Sequence, residues 1–192
     1  MRKKKVLRIG VDFDGVVAYN PFRIIRAPIA FVKQNIFGIK NLKFFIPENW
    51  WQKFLWTIIH ESSILPANGV KLLIETSKNN PVELFLITAR FDCLKENTLR
   101  WINKYGLNNT FKQILINEKY EQPHVFKERI IREKKLDYYI EDNWDIVNTV
   151  NGKTKTQIFW IYNVLDYNRK YPNRFPYLKK ALEKIKTDEN LI

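Results

Sequence analysis

The chain has 192 residues, of which 45% are hydrophobic and 28% are charged. This is an ordinary composition for a globular protein with one main core. No apolar run approaches the ~20 residues that a transmembrane helix needs. The basic start is followed by a stretch that Arg8, Asp12 and Asp14 interrupt, which argues against a signal peptide. Cys93 is the single cysteine, so an internal disulfide is excluded and we expect a reducing, cytoplasmic setting.

The formal net charge of +13 is concentrated in three segments. Residues 1–8 contribute +5, residues 19–66 contribute +4 and residues 153–192 contribute +5, whereas the remainder is close to neutral. A phosphate-bearing partner and a lysine-rich solvated surface are both compatible with this pattern. No aromatic and basic motif of a known nucleic-acid reader accompanies these segments. We therefore expect them to attract a small anionic substrate and do not favour nucleic acid or a membrane as the partner. Nothing indicates the oligomeric state.

Strands and helices alternate along most of the chain. Apolar runs rich in Val and Ile predict strands, and apolar residues at helical spacing predict helices. In chain order we predict a strand over 6–13, a helix over 69–78, a strand over 81–88, a helix over 92–106, a strand over 113–117, a helix over 126–135, a strand over 136–142, a helix over 143–152, a strand over 156–162 and a helix over 176–186. This alternation is typical of an α/β fold with a doubly wound, mainly parallel sheet.

Residues 19–66 interrupt the alternation. Apolar residues at 50, 51, 54, 55, 58 and 59 have helical spacing, and prolines at 28 and 47 punctuate the segment. We interpret 19–66 as a small, mostly helical cap that is inserted after the first strand, whereas 1–18 and 67–192 form the core. The spacing of Trp50, Trp51 and Trp56 favours packing in a core over stacking on a base.

Polar residues follow three of the predicted strands, where the strands end. In an open parallel sheet, ligands bind beyond the carboxyl ends of the strands. We expect these polar residues to gather at one edge with a lysine from the start of a following helix: Asp12, Asp14, Thr88, Arg90, Lys127, Glu141 and Asp142. A group of carboxylates requires a cation, and oxygen ligands favour Mg2+. The sequence therefore predicts a magnesium site at this edge.

Four motifs carry a resemblance to a known family. The segments VDFDGVV (11–17), LITAR (86–90), an intervening lysine and IEDN (140–143) resemble, in this order, the four motifs of the haloacid dehalogenase superfamily. The insertion after the first motif is similar to the helical cap found in that superfamily. Within it, LITAR and IED are similar to the branch of 5'-deoxyribonucleotidase-like phosphatases. The resemblance implies a Mg2+-dependent phosphatase that acts on small phosphate monoesters, with a nucleoside monophosphate as the leading substrate.

The resemblance also implies a role for each motif residue. Asp12 would be the nucleophile that forms an aspartyl-phosphate, and Asp14 would be the general acid and base. Thr88, Ala89, Arg90 and Lys127 would bind the phosphoryl group or the substrate. The ligands of Mg2+ would be Asp12, the backbone carbonyl of Asp14, and Asp142, with Glu141 as an alternate ligand or a supporting residue.

Several alternatives remain open at this point. Lys134 and Lys135 are also candidates for the phosphate-binding lysine, but they lie further along the helix, so Lys127 is preferred. Arg90 is either a substrate clamp or a surface residue, and Glu141 and Asp142 could instead cap the following helix. Among functions, the alternatives are a phosphatase of nucleic-acid ends, a phosphomutase, and a non-catalytic binding module with a basic surface.

Overall fold

The computed structural model describes residues 5–19, 46, 49–60, 65–79, 81–163 and 166–191. In these ranges the strands are β1 (Leu7–Val11), β2 (Ala18–Tyr19), β3 (Leu65–Pro66), β4 (Val82–Thr88), β5 (Gln113–Ile116), β6 (Tyr138–Glu141), β7 (Gln157–Ile161) and β8 (Arg174–Phe175). The α-helices are α1 (Trp50–His60), α2 (Val70–Ser77), α3 (Lys95–Lys104), α4 (Pro123–Lys134), α5 (Trp144–Val150) and α6 (Leu178–Asp188), and a 3-10 turn over Asp92–Leu94 precedes α3. None of the helices in these ranges could span a membrane.

Six strands form one parallel sheet in the order β5-β4-β1-β6-β7-β8. The central strand β1 pairs with β4 on one side and with β6 on the other, so Val11 lies opposite both Leu86 and Ile140. The chain first builds the sheet outward through β4 and β5, and then returns to the other side of β1. The predicted doubly wound α/β fold is therefore confirmed, and the change of direction beside β1 is the place where such sheets bind ligands.

Helices cover both faces of the sheet because successive strand residues point to opposite faces. Along β4, Leu84 and Leu86 belong to the core on the face of α2 and α6, whereas Phe85 and Ile87 belong to the core on the face of α4 and α5. Burial on both faces explains why the strands read as continuous apolar runs rather than as alternating ones.

The long elements agree with the sequence-based predictions to within a few residues. Three strands of two residues each, β2, β3 and β8, were not predicted. The antiparallel pairing of Ala18 with Pro66 and of Tyr19 with Leu65 brings the two ends of the predicted insertion together. The interpretation of 19–66 as a helical cap stays a prediction, since much of it lies outside the described residues. Apart from Tyr19 in β2, Leu65–Pro66 in β3 and residues 46 and 49, the structure describes only α1 in this segment.

The expectation that Trp50, Trp51 and Trp56 pack in a core is wrong for Trp50 and Trp51, and the side chain of Trp56 lies outside the described residues. Trp50 and Trp51 both lie on α1, and 80% and 49% of their surfaces are exposed. Helical spacing of apolar residues predicts which side of a helix is apolar, but it does not predict whether another element covers that side.

Candidate active site

The first motif forms a tight turn directly after β1. The Asp12 amide donates to the carbonyl of Ile140 in the neighbouring strand, and the amides of Val17 and Ala18 both donate to the carbonyl of Phe13. Gly15 has a φ of 82°, and a Cβ at this position would lie 2.2 Å from Oδ2 of Asp142. The glycine therefore permits both the left-handed turn and the close approach of the fourth motif.

Lys127 lies beside Asp12. The two side chains are 3% and 7% exposed, and Lys127 Nζ is 3.0 Å from Asp12 Oδ1. The lysine lies near the start of α4, whose N-terminus faces the carboxyl edge of the sheet. Lys134 ends the same helix, and its carbonyl accepts a hydrogen bond from Arg8 at the opposite edge. Of the three candidate lysines, the structure therefore brings Lys127 to Asp12.

Glu141 holds Lys127 in this position. Its Oε2 accepts hydrogen bonds from Lys127 Nζ at 2.6 Å and from the Tyr139 hydroxyl at 2.8 Å, and its Oε1 accepts one from the Asn143 amide at 3.0 Å. Sequence reasoning missed Tyr139, although a residue two positions before Glu141 in a strand points to the same face. The interpretation of Glu141 or Asp142 as the cap of α5 is wrong, because Asn143 is the N-cap and its side chain accepts from the Asp145 amide.

The fourth motif supplies carboxylates close to Asp12. Ligand oxygens of Asp12, Glu141 and Asp142 lie within 4.8 Å of one another, and all three residues are buried. The Trp160 indole donates to the carbonyl of Asp142 at 3.1 Å and so fixes the backbone there. An all-oxygen donor set of this kind fits Mg2+. Since the oxygens of Glu141 already accept three hydrogen bonds, Asp12 and Asp142 are the better placed ligands.

Asp14 has a different partner from Asp12. Its two carboxylate oxygens accept hydrogen bonds from Arg90 Nη2 at 2.7 Å and from Arg90 Nε at 2.8 Å. Arg90 Nη1 also donates to the Thr98 hydroxyl at 3.2 Å, and the guanidinium lies 4.5 Å from the centre of the Phe13 ring. The interpretation of Arg90 as a surface residue is wrong, because it is 5% exposed. Sequence reasoning missed Thr98 and the pairing of Arg90 with Asp14.

Thr88 ends β4 beside these groups. It is 1% exposed, and its hydroxyl oxygen accepts a hydrogen bond from the Arg90 amide at 3.2 Å. A hydroxyl that accepts in this contact can still donate its own proton to another acceptor. Ala89, between Thr88 and Arg90, is half-buried. The second motif thus combines a hydroxyl donor with the arginine that holds Asp14.

The electrostatic environment is strongly acidic. Burial raises the pKa of Asp12 well above its ordinary value; Lys127 opposes this shift, whereas Glu141, Asp142 and Asp14 add to it. Burial lowers the pKa of Lys127, but the carboxylates of Asp12 and Glu141 outweigh burial and hold this pKa above its ordinary value. The lysine is therefore a cation, and among the described residues around it the carboxylates outnumber the cations.

No protein-family model and no curated protein matches this sequence. Solved structures do match its fold. One is a haloacid dehalogenase superfamily hydrolase from Ehrlichia chaffeensis, with 15% identity, a TM-score of 0.51 and coverage of 96% of this chain and 98% of that one. Another is CbbY from Rhodobacter sphaeroides in complex with phosphate, with 12% identity, a TM-score of 0.55 and coverage of 92% and 96%.

A further match is a chain of the Pnkp1/Rnl/Hen1 RNA repair complex, with 12% identity and a TM-score of 0.54. The match covers 84% of this chain but only 44% of the chain from the complex. In a second structure of the complex, 47% of the corresponding chain is covered. This chain therefore spans about half the length of the chain that it matches in the complex. Identities in this range establish the fold. The chain has the fold of the haloacid dehalogenase superfamily, as the resemblance of its four motifs predicts.

Proposed function

We propose that this protein is a Mg2+-dependent phosphatase that hydrolyses small phosphate monoesters through an aspartyl-phosphate intermediate. The observation that carries the proposal is the buried contact of 3.0 Å between Asp12 and Lys127 at the carboxyl end of the central strand. A carboxylate in this position is a suitable nucleophile, and the lysine can balance the charge of a phosphoryl group. The fold likeness to superfamily hydrolases, and to CbbY in complex with phosphate, supports the same chemistry.

In the first step, an oxygen of Asp12 attacks phosphorus and the bond from phosphorus to the ester oxygen breaks. Asp14 takes part in its protonated form, with one carboxyl oxygen released from Arg90, and donates this proton to the leaving oxygen. The Thr88 hydroxyl and the Lys127 ammonium stabilise the negative charge on the phosphoryl oxygens. In the second step, Asp14 takes a proton from water, the water oxygen attacks phosphorus, and the bond to Asp12 breaks. The products are inorganic phosphate and the free Asp12 carboxylate.

The donor set indicates which residues would hold Mg2+. These are the carboxylates of Asp12 and Asp142 and the backbone carbonyl of Asp14, with Glu141 as an alternate ligand. When bound, the ion supplies positive charge to the phosphoryl oxygens and to Asp12. Arg90, whose guanidinium is occupied by Asp14, acts in this proposal by fixing the orientation of the acid, and the backbone of Ala89 faces the substrate.

The test is a panel of phosphorylated metabolites, with nucleoside monophosphates first, assayed for phosphate release with and without Mg2+. The Asp12→Asn variant is the matched control because it has nearly the same shape and a far poorer nucleophile. We expect Mg2+-dependent release by the wild type only. If no ester is hydrolysed at any Mg2+ concentration, the protein is a binding module. If phosphate is transferred between sugar positions without incorporating 18O from labelled water, it is a phosphomutase.

A phosphatase of nucleic-acid ends is the second candidate. The observation that favours it is the fold likeness to a chain of the Pnkp1/Rnl/Hen1 RNA repair complex. The two candidates are separated by kcat/KM for a mononucleotide and for an oligonucleotide with a terminal phosphate, measured under the same conditions. A higher kcat/KM for the oligonucleotide would place this second candidate first.

A further inference from the structure

A basic cavity opens at the amino edge of the sheet, on the opposite side of the molecule from Asp12. Its volume is about 1060 Å3, and it lies between the start of β1, the end of α4 and the segment that joins α5 to β7. Among the described residues, Asp137 is the one acidic side chain that lines it. The cationic residues that line it, which define the basic cavity, are Lys5, Arg8, Arg132, Lys135, Lys153 and Lys155.

The basic cavity is too far from the candidate active site to serve it. From Arg8 to Asp12 the chain advances by four residues of strand, roughly 13 Å at ~3.3 Å per residue. From Lys127 to Lys135 it advances by eight residues, mostly helix, roughly 12 Å at ~1.5 Å per residue. The screening length at physiological salt is about 8 Å. The cations in this cavity are therefore largely screened from the active site, and the attraction of substrate by the basic segments stays a prediction.

Internal ion pairs do not neutralise the cavity. Lys5 pairs with Asp137, Arg8 with Glu83, and Arg132 and Lys153 share Glu128. In the part of the chain that the structure describes, three carboxylates thus face six cations. Within the described part of the chain, no acidic side chain pairs with Lys135 or Lys155.

The end of α4 explains only part of this excess. Cations near a helix C-terminus interact with its unpaired carbonyls, which accounts for Arg132 and Lys135. It does not account for Lys5, Arg8 and Lys155, which come from other segments. The remaining positive charge is exposed to solvent, where an anionic partner would complement it.

We propose that the basic cavity binds the sugar–phosphate backbone of a nucleic-acid strand, at a site separate from the active site and independent of the proposed function. The side chains of Lys5, Arg132 and Lys153 are 82%, 52% and 44% exposed, which suits a row of solvated phosphates rather than one enclosed anion. The buried Thr156 hydroxyl donates to the carbonyl of Leu136, so it does not serve a ligand. None of the described residues that line the cavity is aromatic, so the proposed binding depends on the backbone and not on base sequence.

The test is fluorescence anisotropy of a labelled single-stranded 12-mer between 50 and 200 mM salt. The cavity variant is a double variant that carries Lys135→Glu and Lys155→Glu, and both of these lysines are exposed. The matched control is Lys71→Glu with Lys170→Glu, which makes the same change in net charge at exposed positions outside the cavity. We expect the cavity variant to weaken binding at 50 mM salt by at least tenfold and the control by less than threefold. The slope of log K against log salt should fall in magnitude by about 1.4, since each lost contact contributes ~0.7.

Equal losses in both variants would overturn the proposal, because net charge alone would then explain binding. A competition experiment gives a second test, in which tripolyphosphate, polyglutamate and unlabelled 12-mer are compared at the same concentration of charge. If either of the first two displaces the labelled 12-mer as effectively as the unlabelled 12-mer does, the proposal is overturned. Lys155→Glu alone should lower the slope by about 0.7, which guards against a folding defect in the double variant. Asp12→Asn protein should bind the 12-mer with unchanged affinity, so failure of the proposed phosphatase activity and failure of this site are distinguishable.

Discussion

Breaking the buried pair of Arg90 and Asp14 should strongly destabilise the protein. Arg90→Met removes both guanidinium contacts to the Asp14 carboxylate, at 2.7 and 2.8 Å, and leaves that carboxylate in a site where the residue is 7% exposed. Removing one partner of a buried ion pair costs about 3–5 kcal/mol, since the remaining charge stays buried and loses the favourable interaction with that partner. The contacts of Arg90 with Thr98 and with the Phe13 ring are lost as well. For a domain whose free energy of unfolding is about 5–15 kcal/mol, this is a large fraction.

The assay is urea unfolding of four proteins: wild type, Arg90→Met, Asp14→Asn and the double variant, with linear extrapolation to water. Because the double variant buries neither charge, we expect its loss to be smaller than the sum of the single losses by about 1–3 kcal/mol. Arg90→Lys keeps the charge but not the fork of donors, and should cost less than Arg90→Met. Losses that add to within about 0.5 kcal/mol would refute the reasoning, because independent sites behave in that way.

Four further outcomes are expected. Asp12→Asn should abolish turnover while the fold survives, and more than about a tenth of wild-type activity would contradict the nucleophile role, since loss of a nucleophile costs many powers of ten. In a rapid-quench experiment, Asp14→Asn should slow formation of the aspartyl-phosphate more for an alkyl ester than for an activated aryl ester, because the aryl leaving group needs little protonation. If the variant slows this step equally for both esters, Asp14 is not the general acid. Mg2+ at 100 times its Kd should stabilise the fold by about 2.7 kcal/mol, measured by thermal unfolding, and Asp142→Asn should remove most of this effect. Finally, kcat/KM for a mononucleotide should fall only modestly between 50 and 200 mM salt, because binding neutralises only the few charges of one phosphate group. A ~10³-fold fall would instead indicate that the protein contacts many phosphates.

The fold was predictable because its strands are buried on both faces. Such strands appear in the sequence as mostly apolar runs, as in β1, β4 and β7. Segments whose apolar residues have helical spacing lie between these runs. The pair β2 and β3 was not predictable, since two residues carry no periodicity and their pairing joins positions that lie 46 to 48 residues apart. Exposure of Trp50 and Trp51 was missed for a related reason, because a helical pattern does not reveal what lies opposite the helix.

The sequence predicted which residues gather at the carboxyl edge of the sheet, but not how they pair. Helix geometry selected Lys127, because the start of α4 lies on that edge, and the structure brings this lysine to Asp12. The pairing of Arg90 with Asp14 joins residues that are 76 positions apart. It depends on the turn at Gly15, and no local pattern in the sequence encodes it. The catalytic roles of these residues stay predictions until the variants are assayed.

The charges at the two edges of the sheet have opposite signs, and this determines what a phosphate ester would encounter. Among the described residues at the carboxyl edge, the four carboxylates of Asp12, Asp14, Glu141 and Asp142 exceed the two cations, Lys127 and Arg90, by two formal charges. An anionic ester would be repelled there unless a divalent cation restored the balance. The cations of the basic cavity cannot do so, because they lie beyond the screening length. Removal of Mg2+ should therefore weaken binding of a small phosphate ester far more than charge reversal in the basic cavity does.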